Sequence, residues 1–262
     1  MTTDLSPVPG AASSTPLRLR TADAVMRFSS RVGWAEPELM GLSTLVRPGD
    51  HVFDIGAAHG MYTIPLARLV GATGGVHAFE PHPRQQKTLR RVRRAVGAGQ
   101  VQVNAGAIGS EQGVFTMRLP VKFGLPIYGH AHLVPDLPAG APTPPNMRQW
   151  QTPVYTVDEW CTQNGISSVS FMKVDVEGFE PAVIDGAVKT IEASRPSILL
   201  EVEDRHLAKY GRDANQFADE LRRRWPDYGM YTWVKGAWVA TSTVTLAARN
   251  YLFATDAAFA RR

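Results

Sequence analysis

The stretch Val52 to Thr63, VFDIGAAHGMYT, constrains this chain more than any other. Val52 and Phe53 are apolar and suited to a strand, Asp54 falls where that strand ends, and Gly56 and Gly60 bracket a turn into the helix-like run Met61 to Val70. A strand, a glycine turn and a helix in that order let the backbone approach a ligand and aim unpaired helix-start N–H groups at it. Further on, the apolar run Val76-His77-Ala78-Phe79 ends in Glu80, a carboxylate placed to accept both hydroxyls of a ribose. The pattern therefore calls for a nucleoside-bearing cofactor.

Spacing separates the two classes of cofactor that use this geometry. The dinucleotide fingerprint G-x-G-x-x-G packs a helix tightly under a pyrophosphate. Here the pattern is D-x-G-x-x-x-G, with no third glycine and with Asp54 ahead of the first. A carboxylate there repels phosphate and attracts a cation, which suits a ligand with an ammonium group. S-adenosylmethionine fits; Glu80 supports a nucleoside without choosing between the classes.

With 262 residues and 44% apolar content, the chain can bury one sizeable core. No run of about eighteen apolar residues and no charged-then-apolar leader is present, so a cytoplasmic protein without a membrane span is expected. The lone Cys161 excludes an internal disulfide and a cysteine-based metal site. Much of the net charge of +4 comes from Arg84, Lys87, Arg90, Arg91, Arg93 and Arg94, which surround the apolar spacing of Leu89, Val92 and Val96. That is the solvated face of an amphipathic helix. No aromatic residues interleave with the arginines, which argues against a nucleic-acid partner.

Residues 1–16 read as a flexible tail and 17–262 as a single domain, opened by a helical cap over 17–46. After the basic helix, Val101 to Asn104 alternates like a strand and runs into small residues, among which Ala107 and Ile108 are candidates for the wall against an adenine ring. A turn that merely closes the strand is the competing reading. Phe115 to Leu119 is strand-like, and residues 120–153, dense in Pro, Gly and His, read as an inserted loop over the mouth of the site. His130 and His132 within it are candidates to face an acceptor. Ser170 to Asp175 forms the next strand, a helix is expected over Pro181 to Ala193, and Ser197 to Glu203 forms another strand. A helix over Phe217 to Trp225 and strands at Met230 to Val234, Ala237 to Thr243 and Asn250 to Ala254 complete the chain. Asp54, Glu80, Asp175 and Glu201 each sit at the carboxyl end of a strand, where ligands bind in open α/β sheets.

Six segments in this order, VFDIGAAHGMYT, HAFEPHP, NAGAIGSEQG, VYTVDEW, FMKVDVEGFEPAVIDGA and SILLEVE, resemble the FkbM-type S-adenosylmethionine-dependent methyltransferases. The resemblance runs from about Asp50 to Phe253. It implies an α/β, class I (Rossmann-like) methyltransferase fold, with a seven-stranded mostly parallel sheet, helices on both faces and one antiparallel edge strand. It also implies O-methylation of a sugar, glycoside or other natural product. By position, Asp54, Gly56, Ala57, Gly60, Tyr62 and Thr63 match the family's cofactor loop and Glu80 its ribose carboxylate. His59 stands where the family more often has Asn, and Gly129 to His132 where it commonly has serines, so the acceptor side departs from the average member.

A neutral aliphatic hydroxyl is a poor nucleophile, which leaves two routes open for its activation. In one, Asp175 with Glu201 or Glu203 holds Mg²⁺, an arrangement that looks like that of catechol and macrolide-sugar O-methyltransferases. In the other, His206 or a loop histidine such as His130 acts as base. The competing structural reading has Asp175 and Glu177 capping a helix or pairing with Lys173. The expected partner is a small-molecule or saccharide acceptor, with room for a homodimer. A nucleic-acid methyltransferase, a nicotinamide oxidoreductase and a non-catalytic cofactor-binding protein are the alternatives.

Overall fold

A computed structural model of the chain describes residues 15–127, 131–134, 137 and 140–260. The tail expected over 1–16 lies almost wholly outside the described residues. Helix α1 (Leu17–Arg31) and two short 3-10 turns precede β1 (His51–Ile55). Then α2 (Thr63–Val70) leads to β2 (Gly75–Glu80), and α3 (Pro83–Val96) to β3 (Val101–Ala105). Strands β4 (Ala107–Ile108), β5 (Gly113–Lys122), β6 (Leu125–Pro126), β7 (His132–Val134) and β8 (Met147–Tyr155) follow, with no helix between them among the described residues. The βα rhythm resumes with α4 (Val157–Asn164), β9 (Phe171–Val174), α5 (Glu180–Asp185), α6 (Val188–Ser194) and β10 (Ser197–Glu201). The chain ends with α7 (Asp204–Leu207), α8 (Ala214–Arg224), β11 (Gly229–Val234), β12 (Ala237–Ala240), β13 (Asn250–Ala254) and α9 (Asp256–Ala260). Among the described residues no helix is long and apolar enough to cross a membrane.

The main sheet has the order β12-β11-β13-β10-β9-β1-β2-β3. β3, β2, β1, β9 and β10 run parallel, and β13 is antiparallel to both β10 and β11. This is the expected seven-stranded class I sheet with β12 added: Ala237–Ala240 folds back on β11 at Lys235-Gly236 and makes an eighth, antiparallel edge strand. The other antiparallel strand, β13, sits inside the edge rather than on it. Alternate residues of the parallel strands feed two cores, one on each face. Phe53, Ile55, Phe79, Met172, Val174, Ile198 and Leu200 pack with α5, α6 and α8. Val52, Val76, Ala78, Phe171 and Leu199 pack with α1 and α2 and with Leu89 of α3. The arginines of α3 line its outer side, where Arg84, Arg90, Arg91 and Arg94 are exposed.

Two expectations are corrected. Residues 120–153 are not a loop throughout: β5 and β8 pair antiparallel from Gly113↔Val154 to Pro120↔Met147, and with β4, β6 and β7 they form a second sheet. The helix expected over Pro181 to Ala193 breaks into α5 and α6 at Gly186, because a Cβ there would lie 2.0 Å from the Gly109 carbonyl oxygen.

The close approach that fixes the site is at Gly56, whose φ is +87° and whose Cβ, if present, would stand 1.8 Å from the Asp175 carbonyl oxygen. Gly56→Ala is expected to lower stability by about 3 kcal/mol or more, a melting-temperature drop of roughly 6–12 °C. Gly165→Ala, at φ +65° but with nothing within 4 Å, should cost about 1 kcal/mol. Thermal unfolding followed by circular dichroism compares the two; equal losses would contradict the packing assignment.

Candidate active site

At the end of β1 the Gly56 and Ala57 amides both donate to the Phe79 carbonyl, at 3.0 and 2.9 Å, which ties the glycine turn to β2. The next amide, of Ala58, donates to Glu80 Oε2 at 2.8 Å, and the His82 amide donates to Glu80 Oε1 at 2.6 Å. Both carboxylate oxygens are thereby oriented, and each keeps a second lone pair for a ligand. Burial pushes Glu80 up to about 7, against the opposing pull of the His82 and Ala58 amides.

The second wall is the turn after β9. Glu180, 1% exposed, accepts the amides of Val176 at 3.0 Å and Gly178 at 3.2 Å on its Oε1. This clamp holds Glu177 in the left-handed region at φ +59°, a conformation that costs a non-glycine residue roughly 1–3 kcal/mol and marks sites where geometry is imposed. Gly178 at φ +103° follows because a side chain there would strike the His206 backbone, 2.3 Å from its carbonyl oxygen. His206 is so brought against the turn: its Nε2 lies 3.0 Å from Glu177 Oε2 and its Nδ1 3.5 Å from Glu201 Oε2.

Beneath this turn Lys173, 1% exposed, places its ammonium 3.4 Å from Asp175 Oδ2 and 3.0 Å from Asn250 Oδ1, with the Tyr62 ring 5.2 Å away. Burial alone would lower this amine, but the carboxylates of Asp175, Glu36, Glu201 and Asp54 outweigh it and hold it at about 12. Asn250 and Tyr62 both donate to Glu36 Oε2, at 2.8 and 2.5 Å, so the segment after α1 is locked to the same network. Burial, then the Asp175 carboxylate, push Glu201 up to about 9, and the same two causes push Glu177 to about 7. Glu201 therefore holds its proton at neutral pH, and Glu177 is poised to exchange one.

A cleft of about 210 Å³ lies between these walls. It is lined by Gly56, Ala58 and Glu80 on the β1–β2 side, by Ala107, Ile108, Met117 and Leu133 above, and by Asp175, Val176 and Glu177 opposite. Of the sequence-expected residues, Gly56, Glu80, Ala107, Ile108, Asp175 and His132 reach this cleft. Asp54 does not line it: it is 2% exposed and accepts the Thr63 hydroxyl at 2.5 Å, so it is occupied in fastening β1 to the start of α2. Ala57, Gly60, Tyr62 and Thr63 stand behind the wall, buried. Glu203 turns away, accepting Arg249 Nε at 2.5 Å and pairing with Arg205, so it is not placed beside Asp175 for the expected ion. Among the described residues the carboxylate and imidazole atoms of Glu177, Glu201 and His206 form the group within 4.8 Å of one another that a cation would need. His130 lies outside the described residues.

Sequence reasoning gave Glu177 and Glu180 no part in the site. The spacing E-G-x-E directly after a strand carried the signal, because a glycine flanked by carboxylates at a strand end has little structural reason except a forced turn.

The fold is that of the class I methyltransferases. The model of the Methyltransferase FkbM domain matches residues 54–229, and the chain belongs to this family of S-adenosylmethionine-dependent methyltransferases. It is similar to the 31-O-demethyl-FK506 methyltransferase FkbM of Streptomyces tacrolimicus, 28% identical over 187 residues that cover 61% of this chain and 67% of that protein. Among solved structures, Methyltransferase FkbM from Methylobacillus flagellatus aligns at 16% identity and TM-score 0.48, covering 90% of this chain and 58% of that one. A SAM-dependent O-methyltransferase from Thermotoga maritima aligns at 15% identity and TM-score 0.44, covering 84% and 65%. The chain thus spans less than two thirds of the length of either structure.

The clamp gives a test of its own. Glu180→Ala strands two amides and is expected to cost about 2–4 kcal/mol, whereas Glu180→Gln, whose carbonyl oxygen can accept both, should cost under about 1 kcal/mol. Chemical denaturation distinguishes the pair; equal losses would contradict the clamp.

Proposed function

We propose that the cleft between Glu80 and Glu177 binds S-adenosylmethionine and that the protein methylates a hydroxyl of a sugar, glycoside or other natural product. The residues fit this cofactor: a twice-oriented carboxylate for the ribose, apolar Ala107, Ile108, Met117 and Leu133 for the adenine, and Asp175 and Glu177 toward the cationic end. When bound, the cofactor supplies an electrophilic methyl on sulfonium sulfur. The chain then has to align an oxygen behind that methyl and take its proton.

The observation that carries the reading is the placement of Glu177. It lines the cleft, sits at about 7, and has His206 and then Glu201 directly behind it. A carboxylate with a pKa near the working pH is suited to general-base catalysis. His206 is 4% exposed with both ring nitrogens turned to carboxylates, so it positions Glu177 rather than meeting the acceptor. Asp175, paired with Lys173, lines the same wall, toward the sulfonium. The name of the Streptomyces tacrolimicus protein, an enzyme for a 31-O-demethyl compound, supports an oxygen acceptor. A second reading rests on the proximity of Glu177, Glu201 and His206: these three, rather than Asp175, Glu201 and Glu203, would hold a divalent ion that acidifies the hydroxyl. Activity that survives EDTA favours the base; activity lost to EDTA and restored by Mg²⁺ or Mn²⁺ favours the ion.

Titration calorimetry should show S-adenosylhomocysteine binding that weakens about tenfold or more in Glu80→Ala, since two ribose hydrogen bonds to a carboxylate are lost. Unchanged affinity would remove Glu80 from the ribose site. The pH profile tests Glu177: kcat/KM, followed as methyl transfer to a panel of sugars, glycosides and small natural products, should rise with pH through an apparent pKa near 7, as Glu177 loses its proton. Glu177→Gln should lose about 100-fold or more and flatten that limb. A mutant that keeps the limb would assign the proton to another group.

A further inference from the structure

Helix α1 is apolar on its outer side as well as its inner one. The inner side packs Leu19 and Ala22 into the core, and Asp23 and Ser30 are buried beside them. At about 100° per residue, Leu17, Val25, Phe28 and the capping Val32 fall within about 80° of one another on the opposite side. All four are exposed, Phe28 by 59%, and Trp34 just beyond the helix is 83% exposed. Single exposed apolar side chains are normal on any protein surface, but five between Leu17 and Trp34, four of them along one stripe, make a face.

The charge around this stripe has one sign. Arg18 borders it on one side and Arg20 and Arg31 on the other, and all three are exposed. Helix α1 packs beside α2 and α3 on the same face of the main sheet, and the three helices hold a single acidic residue between them, Asp23. Asp23 points the other way: it is 6% exposed, with Arg68 at 3.4 Å and Arg27 nearby. Arg18, Arg20 and Arg31 therefore have no carboxylate partner among the described residues. The last turn of α3 adjoins the start of α1, where a Cβ on Gly97 would meet Pro16 at 3.4 Å, and it carries Arg93 and Arg94 rather than acids.

Apolar side chains along the middle and guanidinium groups along the rims are the pattern of a helix lying in the interface of a bilayer. There the hydrocarbon side chains enter the boundary between headgroups and acyl chains, a tryptophan sits at headgroup level, and arginines meet lipid phosphates. Two other occupants fit less well. A second copy packed through the same face about a twofold axis would bring two sets of arginines together with no carboxylate between them. A nucleic acid would pair with the arginines and leave Leu17, Val25 and Phe28 in water.

We propose that α1 and Trp34 dock the protein on an anionic lipid surface, with the helix lying along the bilayer and not crossing it. Trp34 stands two residues before Glu36, which accepts Tyr62 and Asn250 beside Lys173, so the docking helix is tied to the network behind the candidate cleft. The docking face is independent of the methyl-transfer reading.

The test is co-sedimentation of the full chain with vesicles of phosphatidylcholine alone and of phosphatidylcholine mixed with phosphatidylglycerol. Binding to the mixed vesicles should be tighter than to the neutral ones by about tenfold or more, and should fall as salt is raised. Phe28→Gln combined with Trp34→Gln should weaken it by about tenfold or more, since both side chains lose the acyl boundary. Arg18→Gln combined with Arg20→Gln should bring the mixed vesicles toward the level of the neutral ones, and serves where the first variant does not fold. No binding to either vesicle, equal binding to both, or binding unchanged in both variants would each overturn the proposal. A dimer that Phe28→Gln disperses, without vesicle binding, would assign the face to a second copy instead. Retention on RNA but not on vesicles would assign it to a nucleic acid.

Discussion

The ammonium of Lys173 is the constraint on which the rest of the site depends. Parallel strands that end together bring Asp54, Glu80, Asp175 and Glu201 to one edge of the sheet, where desolvation works against every ionised carboxylate. An unpaired charge buried this deeply would cost several kcal/mol. Lys173 reaches Asp175 and Asn250 from inside β9 and opposes the rise of Glu201, while burial and the neighbouring Asp175 push Glu201 up to about 9 and Glu177 to about 7. The result is a pair of raised carboxyls, Glu201 set deeper and Glu177 at the cleft surface, on either side of His206.

Backbone geometry then decides which of them meets a ligand. Glu180 draws the Val176 and Gly178 amides inward, Glu177 is forced to a positive φ, and Gly178 admits the His206 backbone. Across the cleft, Gly56 allows the β1 turn to touch the Asp175 carbonyl, and the amides of Ala58 and His82 aim Glu80. Both walls are thus set by hydrogen bonds between backbone and buried carboxylates, a preorganisation that needs no rearrangement at the moment of reaction. The second sheet roofs the cleft with Met117 of β5 and Leu133 of β7.

The parallel core was legible because strands buried on both faces read as continuous apolar runs such as Ser197 to Leu200, ending in acids. The roof was legible only in part: Phe115 to Leu119 read as a strand and is the middle of β5. β8 is half-exposed, carries Pro153 and alternates weakly, so composition pointed to a loop where long-range pairing with β5 makes a sheet. Asp54 illustrates a different limit. Its position in the motif was correctly placed at the strand end, but whether a carboxylate faces a ligand or a neighbouring hydroxyl is a matter of tertiary contact, and Thr63 took it. The same holds for Glu203 and His206, three residues apart in sequence: His206 is drawn to Glu177 by the packing of Gly178, and Glu203 to Arg249 by the return of the chain before β13.

The central claim is that carboxylates lifted by burial face the cationic end of the cofactor, and proton release on binding tests it most directly. At pH 7, with Glu177 near 7, a sulfonium beside it favours its ionised form and expels protons. Calorimetric titrations in buffers of different ionisation enthalpy count those protons. The account predicts net release with S-adenosylmethionine and clearly less with S-adenosylhomocysteine, whose sulfur is neutral. Equal proton counts for the two ligands, or none for either, would contradict it.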